Sequence, residues 1–107
     1  MKTVKVRTTF TLGIEMGEAD IAGTGFQGYL PPGTRYRDIV RVFGKPQRGC
    51  SADGKVKVSW AGRINGIVFT IYDYKSPVEP RQNTAWHIGG RIAFIAQLVN
   101  LFLLARK

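Results

Sequence analysis

The chain is poor in the residues that carry most protein chemistry. Its 107 residues include one cysteine, Cys50, and one histidine, His87. A single cysteine excludes an intrachain disulfide and fits a reducing compartment. One histidine, with no cysteine or carboxylate cluster beside it, leaves no ligand set spaced for zinc, and any Ser-His-Asp arrangement would have to pass through it. Acidic residues are scarce: seven Asp and Glu stand against sixteen Lys and Arg. Asp73 has no second carboxylate near it in sequence for paired acid–base work. No G-x-x-x-x-G-K-[ST] phosphate loop is present. The expectation from these absences is a protein that is not an enzyme and holds no metal and no cofactor. Long apolar runs are missing too. The best candidate, Ile92 to Ala105, covers 14 residues and contains Gln97 and Asn100, too short and too polar for a bilayer span. The opening "MKTVKVRTTF" is polar and alternating, without the apolar centre of a signal peptide. One domain, 1–107, in the cytoplasm with no membrane partner is the expected organisation.

What the chain has in excess is positive charge, +9 at neutral pH. Such an excess favours a polyanionic partner: nucleic acid, a nucleotide, or an acidic protein or membrane surface. Apolar residues make up 44%, enough for a globular core and unlike a disordered chain.

The patterning predicts an α+β fold with a mostly antiparallel sheet. Val4 to Met16 alternates apolar and polar residues, which predicts one long strand. A glycine-rich loop over residues 22–33 follows, and Pro31-Pro32 excludes a helix there. Thr34 reads as an N-cap for a central helix bearing Tyr36, Ile39, Val40 and Phe43, stopped by Gly44 and Pro46. Its other face carries Arg35, Arg37 and Arg41, which read as a solvated face or a phosphate contact. Residues 44–54 read as a loop. Val56, Val58 and Trp60 predict a strand, Asn65-Gly66 a hairpin turn, and Ile67 to Tyr74 the returning strand. A short strand at residues 84–88 ends at Gly89-Gly90. The last helix, Ile92 to Arg106, is apolar nearly all round. One small sheet covers one face of such a helix, so a homo-oligomer built on it is expected.

Three segments are candidates for ligand contact. Gly23, Gly25 and Gly28 spell G-x-G-x-x-G, but "YLPPG" follows where a dinucleotide fold needs a helix. What remains is a loop in which Gly25 and Gly28 admit a close ligand beside Gln27, and Phe26 and Tyr29 offer stacking faces, or else a tight turn at a sheet edge. In "TIYDYK", Tyr72 and Tyr74 share one strand face with Lys75 nearby, fit for a stacking platform or for packing under a helix. In "WHIGGR", two glycines before a helix leave free amides, with Arg91 at the mouth and Trp86 or His87 able to stack on a base. Its alternative is a strand-to-helix turn with Trp86 in the core.

The segments "GTGFQGY", "VFGKPQ", "KVKVSW", "GIVFTIYDYK" and "WHIGG" occur in this order. Over roughly residues 23–90 they resemble a group of small phage-encoded proteins with G-x-S-L-Q-G-Y, F-G-x-P, T-I-Y-D-W-K and W-H-I-G-G motifs. Phe26 stands where Leu is common in that group, and Tyr74 where Trp is usual. The resemblance extends to phage anti-Thoeris proteins, and it implies a small α+β oligomer in the infected bacterial cell. Such a protein binds cyclic ADP-ribose isomers or cyclic oligonucleotides without cleaving them. The expected function is thus sequestration of a small cyclic nucleotide signal. The alternatives are a basic nucleic-acid-binding module and a protein-binding inhibitor of a host or CRISPR defence enzyme.

Overall fold

The computed structural model describes residues 2–6, 10–17 and 19–106. One antiparallel sheet organises the chain. Its strands are β1 (Lys2–Val6), β2 (Phe10–Met16), β3 (Gly25–Tyr29), β4 (Gln47–Arg48), β5 (Val58–Ile64), β6 (Ile67–Tyr72) and β7 (His87–Gly90). Their spatial order is β1-β2-β5-β6-β7-β3, with β4 paired to the start of β5. Two helices, α1 (Tyr36–Phe43) and α2 (Phe94–Arg106), complete the α+β fold.

The sheet follows from period-two patterning in its centre. In β5, Val58, Trp60, Gly62 and Ile64 are buried while Ser59, Ala61 and Arg63 between them are half exposed. Asn65 adopts φ 50° and Gly66 φ 80°, the left-handed pair that a two-residue hairpin requires. Register then sets Trp60 against Ile71 and Ser59 against Tyr72. One face of the sheet therefore collects the large apolar residues, and both helices pack on it.

Helix α1 buries Ile39, Val42 and Phe43, and α2 buries Ile95, Leu98, Val99, Phe102 and Leu103. Phe43 meets Phe69 and Phe102 at ring distances of 5.8 and 5.6 Å. Each fully buried side chain of this size contributes about 1.5–3 kcal/mol. Two indoles clip the ends of α1 to the sheet. Trp86 Nε1 donates to the carbonyl of Thr34 before the helix, and Trp60 Nε1 to that of Gly44 after it, at 3.0 and 2.7 Å.

Several expectations are corrected. The predicted single strand over residues 4–16 is a hairpin in which Lys2 pairs with Ile14 and Val6 with Phe10; residues 7–9 lie outside the described residues. The N-cap of α1 is Arg35, not Thr34. Thr34 is buried, and its hydroxyl donates to the Pro31 carbonyl at 2.6 Å. The "loop" at residues 25–29 is the edge strand β3, and Gly89 and Gly90 are the last two paired residues of β7, not a break that follows it. The reason is space. A Cβ on Gly90 would stand 2.4 Å from Ile95 Cγ2, and one on Gly89 2.4 Å from Thr70 Oγ1. Both strands can sit there only without side chains at these positions.

Helix α2 keeps an uncovered edge. Phe94, Leu101 and Leu104 are exposed, as is Ile92 just before it. Among the described residues no helix is long and apolar enough to cross a membrane.

Candidate functional site

The face of the sheet opposite the helices carries an aromatic cup. Its walls are Phe26, Tyr29, Tyr72, Tyr74 and His87, around a cavity of about 380 Å³. Three strands supply them. Tyr72 of β6 and His87 of β7 are directly paired, as are His87 and Tyr29 of β3. Tyr74 follows β6, where Lys75 takes φ 51° and its N–H donates to the Lys55 carbonyl at 2.8 Å.

Phe26 and Tyr29 are three residues apart, so regular alternation would send them to opposite faces. A bulge prevents this. Phe26 pairs with Gly89, Gly28 with Ile88 and Tyr29 with His87, so Gln27 is the extra residue. A bulge of this kind re-aims the side chains that follow it. Gln27 Nε2 donates to the Gly90 carbonyl at 3.0 Å, which ties the extra residue back to the sheet.

His87 is the hub. Its ring stacks on Tyr72 at 5.4 Å and 21°. Phe26, Tyr29 and Tyr74 surround it at 5.6, 5.0 and 5.7 Å in tilted or edge-on contacts. Each such pair adds about 0.5–1.5 kcal/mol beyond its area. Burial holds the imidazole below its usual pKa, and the negative charge of Asp73 acts weakly the other way. Burial likewise pushes the Tyr72 phenol up, helped by Tyr74 and Tyr29. The hub is therefore neutral at physiological pH.

Stability against pH follows with a definite sign. The unfolded chain binds the His87 proton more readily than the folded one. Its contribution is complete above the ordinary histidine value of about 6.5 and is lost as pH falls toward the lower folded value. Between about pH 7.5 and about pH 5.5 the melting temperature is expected to fall, and less so in His87→Gln. Equal falls in both proteins would remove His87 from this role.

A second hollow adjoins the cup and shares Tyr72. It holds about 240 Å³ and is lined by small and hydroxyl residues, among them Thr24, Gly25, Ser59, Thr70 and Gly89. Cys50 also borders it, with Sγ 3.0 Å from Ser59 Oγ. Lys75 Nζ lies 5.4 Å above the ring of Tyr74, one wall of the cup. Asp73 itself is buried. Its Oδ1 accepts from the N–H groups of Lys57 and Val58 at 2.9 and 3.1 Å, so it ties the start of β5 to the end of β6.

The candidate residues read from sequence divide accordingly. Phe26, Tyr72, Tyr74 and His87 meet in the cup, joined by Tyr29, with Lys75 at its rim. Gly25 borders the adjoining hollow. Gln27 and Gly28 do not face the site: Gln27 secures the bulge, and Gly28 sits under α2, where a Cβ would be 3.1 Å from that of Ala96. Trp86 is 1% exposed on the helix side and packs edge-on against Trp60 at 5.6 Å. The Gly89 and Gly90 backbones pair with β6 and β3 and do not form a free amide cradle.

Arg91 is a clamp, not a pocket mouth. Its guanidinium donates to the carbonyls of Ala22 and Asp20 at 3.0 and 2.6 Å and pairs with the Asp20 carboxylate at 3.8 Å. Arg91→Ala is expected to speed amide hydrogen exchange across residues 20–24 while leaving β5 and β6 protected. Unchanged exchange in that segment would refute the clamp.

Among the described residues no group of three or more His, Cys, Asp or Glu is placed to hold a metal ion. Comparison with protein-family models, curated proteins and solved structures gave no match.

Proposed function

We propose that the chain is a non-catalytic nucleotide-binding protein that holds a base in the aromatic cup. The observation that carries this reading is the ring of four aromatic side chains around a neutral His87 on the open sheet face. Flat π-faces of this kind take nucleobases with about 1–3 kcal/mol per stacked base. A cup of 380 Å³ suits one or two rings, and the hydroxyls of Thr24, Ser59 and Thr70 stand beside it for a sugar. Aromatic cages also take quaternary ammonium ions. The net charge of +9 and Lys75 over Tyr74 disfavour a cation here.

The resemblance of the Gly23–Tyr29, Thr70–Lys75 and Trp86–Gly90 segments to phage counter-defence proteins gives the reading its specific form. The ligand is a small cyclic nucleotide signal, and its capture in the infected bacterial cytoplasm removes it from a host sensor. The exposed Phe94, Leu101 and Leu104 of α2 support a homo-oligomer in which a second copy covers that edge. Isothermal titration against cyclic ADP-ribose isomers and cyclic oligonucleotides tests the reading, with micromolar or tighter binding expected for at least one. Absence of binding across the panel would overturn it. An open antiparallel face with stacking rings also suits single-stranded nucleic acid. That ligand would show affinity rising with strand length and falling steeply with salt.

A further inference from the structure

The side of the molecule opposite the cup holds another concavity, of about 610 Å³, lined by Arg35, Tyr36, Arg37, Val40, Arg41 and Arg81. Helix α1 and its N-cap supply five of these residues, and the short 3-10 turn Pro80–Gln82 supplies Arg81. All four cationic residues of the lining are arginine. None of them takes part in the ion pairs among the described residues, which join Lys55 to Asp53, Arg63 to Glu15 and Arg91 to Asp20. The carboxylate nearest in sequence, Asp38, is turned into the structure, where its Oδ2 accepts from the Arg35 backbone N–H at 3.0 Å. Arg37 and Arg41 are one turn apart on the same helix face, a spacing at which like charges destabilise. The fold adds a third cation there from a separate element. Tyr36 is fixed at the floor: its ring lies 5.9 and 6.4 Å from Trp60 and Trp86, and its hydroxyl accepts from Arg48 at 3.2 Å.

We infer that this arginine pocket is a binding site for a phosphoryl chain carrying several negative charges. Guanidinium groups engage phosphate oxygens in bidentate pairs, and four of them around one concavity exceed what the two neighbouring carboxylates, Asp38 and the exposed Glu79 before the 3-10 turn, neutralise. A bound polyanion relieves the mutual repulsion that the free protein carries. The site is independent of the aromatic cup, because the tryptophan layer and the sheet lie between them.

The test is thermal melting with sodium tripolyphosphate at fixed ionic strength. A saturable rise in melting temperature is expected, since a ligand of the native state stabilises it by mass action. Arg37→Gln/Arg81→Gln is expected to weaken the response by roughly tenfold or more, and Tyr72→Ala to leave it intact. An equal rise with sodium chloride at the same ionic strength, or an unchanged response in the double variant, overturns the site. An equal response to a polyglutamate peptide overturns the phosphoryl class. A deoxyribose-phosphate oligomer without bases, run beside tripolyphosphate, tells the two sources apart: tighter binding of the oligomer assigns a nucleic-acid backbone, tighter binding of tripolyphosphate a small molecule. If the double variant fails to fold, amide shifts of the wild-type protein on adding tripolyphosphate locate the site instead. Shifts centred on residues 35–41 and 80–82 support it, and shifts confined elsewhere overturn it.

Discussion

Tyr72→Ala is expected to weaken nucleotide binding by roughly 5- to 150-fold, the loss of one stacking face worth about 1–3 kcal/mol. Tyr72 is the right residue to remove because it borders both hollows of the open face. Its ring lies nearly parallel to His87, so removing it takes a flat face from the cup wall. Its half-exposed side chain contributes little to the core on the other face, where Ile71 and Ile88 are fully buried. The fold should survive with a loss of about 0.5–1.5 kcal/mol from each of the two ring pairs broken, to His87 and to Tyr74. Tyr72→Phe keeps the stacking face and is expected to bind nearly as the wild type does. Titration calorimetry on the two variants decides the matter. Wild-type affinity in the alanine variant would mean that the cup is not where the base sits.

Trp86→Ala has the opposite profile: about 3–5 kcal/mol of stability lost, through a cavity in the core. That is a large part of the 5–15 kcal/mol that typically holds a domain together. The ring is 1% exposed and bridges Trp60 and Tyr36. Its N–H also satisfies the Thr34 carbonyl. Trp86→Phe keeps most of the apolar body but orphans that carbonyl, at a cost of about 1–3 kcal/mol. Urea melts should rank wild type above the phenylalanine variant and both above alanine. Ligand affinity of the folded phenylalanine variant should match the wild type. A specific loss of affinity there would return Trp86 to the binding site.

These two residues also show how far the sequence could be read. The stretch Val58 to Tyr72 is legible because its side chains alternate and Asn65-Gly66 permits only one kind of turn. The same alternation separates Trp86 from His87: neighbours on a strand face opposite ways, and Ile88 draws Trp86 to the core side. Other parts follow no local rule. Gly89 and Gly90 resemble a strand end, yet they are needed because Thr70 and Ile95, distant in sequence, occupy the space where their side chains would lie. Tyr29 joins the cup through a bulge that breaks the period of two, so no spacing in the sequence places it beside Phe26. The role of Arg91 rests on contacts with carbonyls about seventy positions away. The arginine pocket needs Arg81, which only the packing of the Pro80–Gln82 turn beside α1 brings near.

The bulge at Gln27 has one more consequence, for length. A strand ladder counts only the residues that pair, and Gln27 is the one that does not. A chain lacking Gln27 would still present Phe26 upward, Gly28 beneath Ala96 and Tyr29 upward. A chain lacking Gly28 instead would push a glutamine into the slot under α2, where a Cβ already stands 3.1 Å from its neighbour. The β3 edge therefore accommodates the loss of one residue at Gln27 more readily than at Gly28, so a sequence one residue shorter there can still form the same cup.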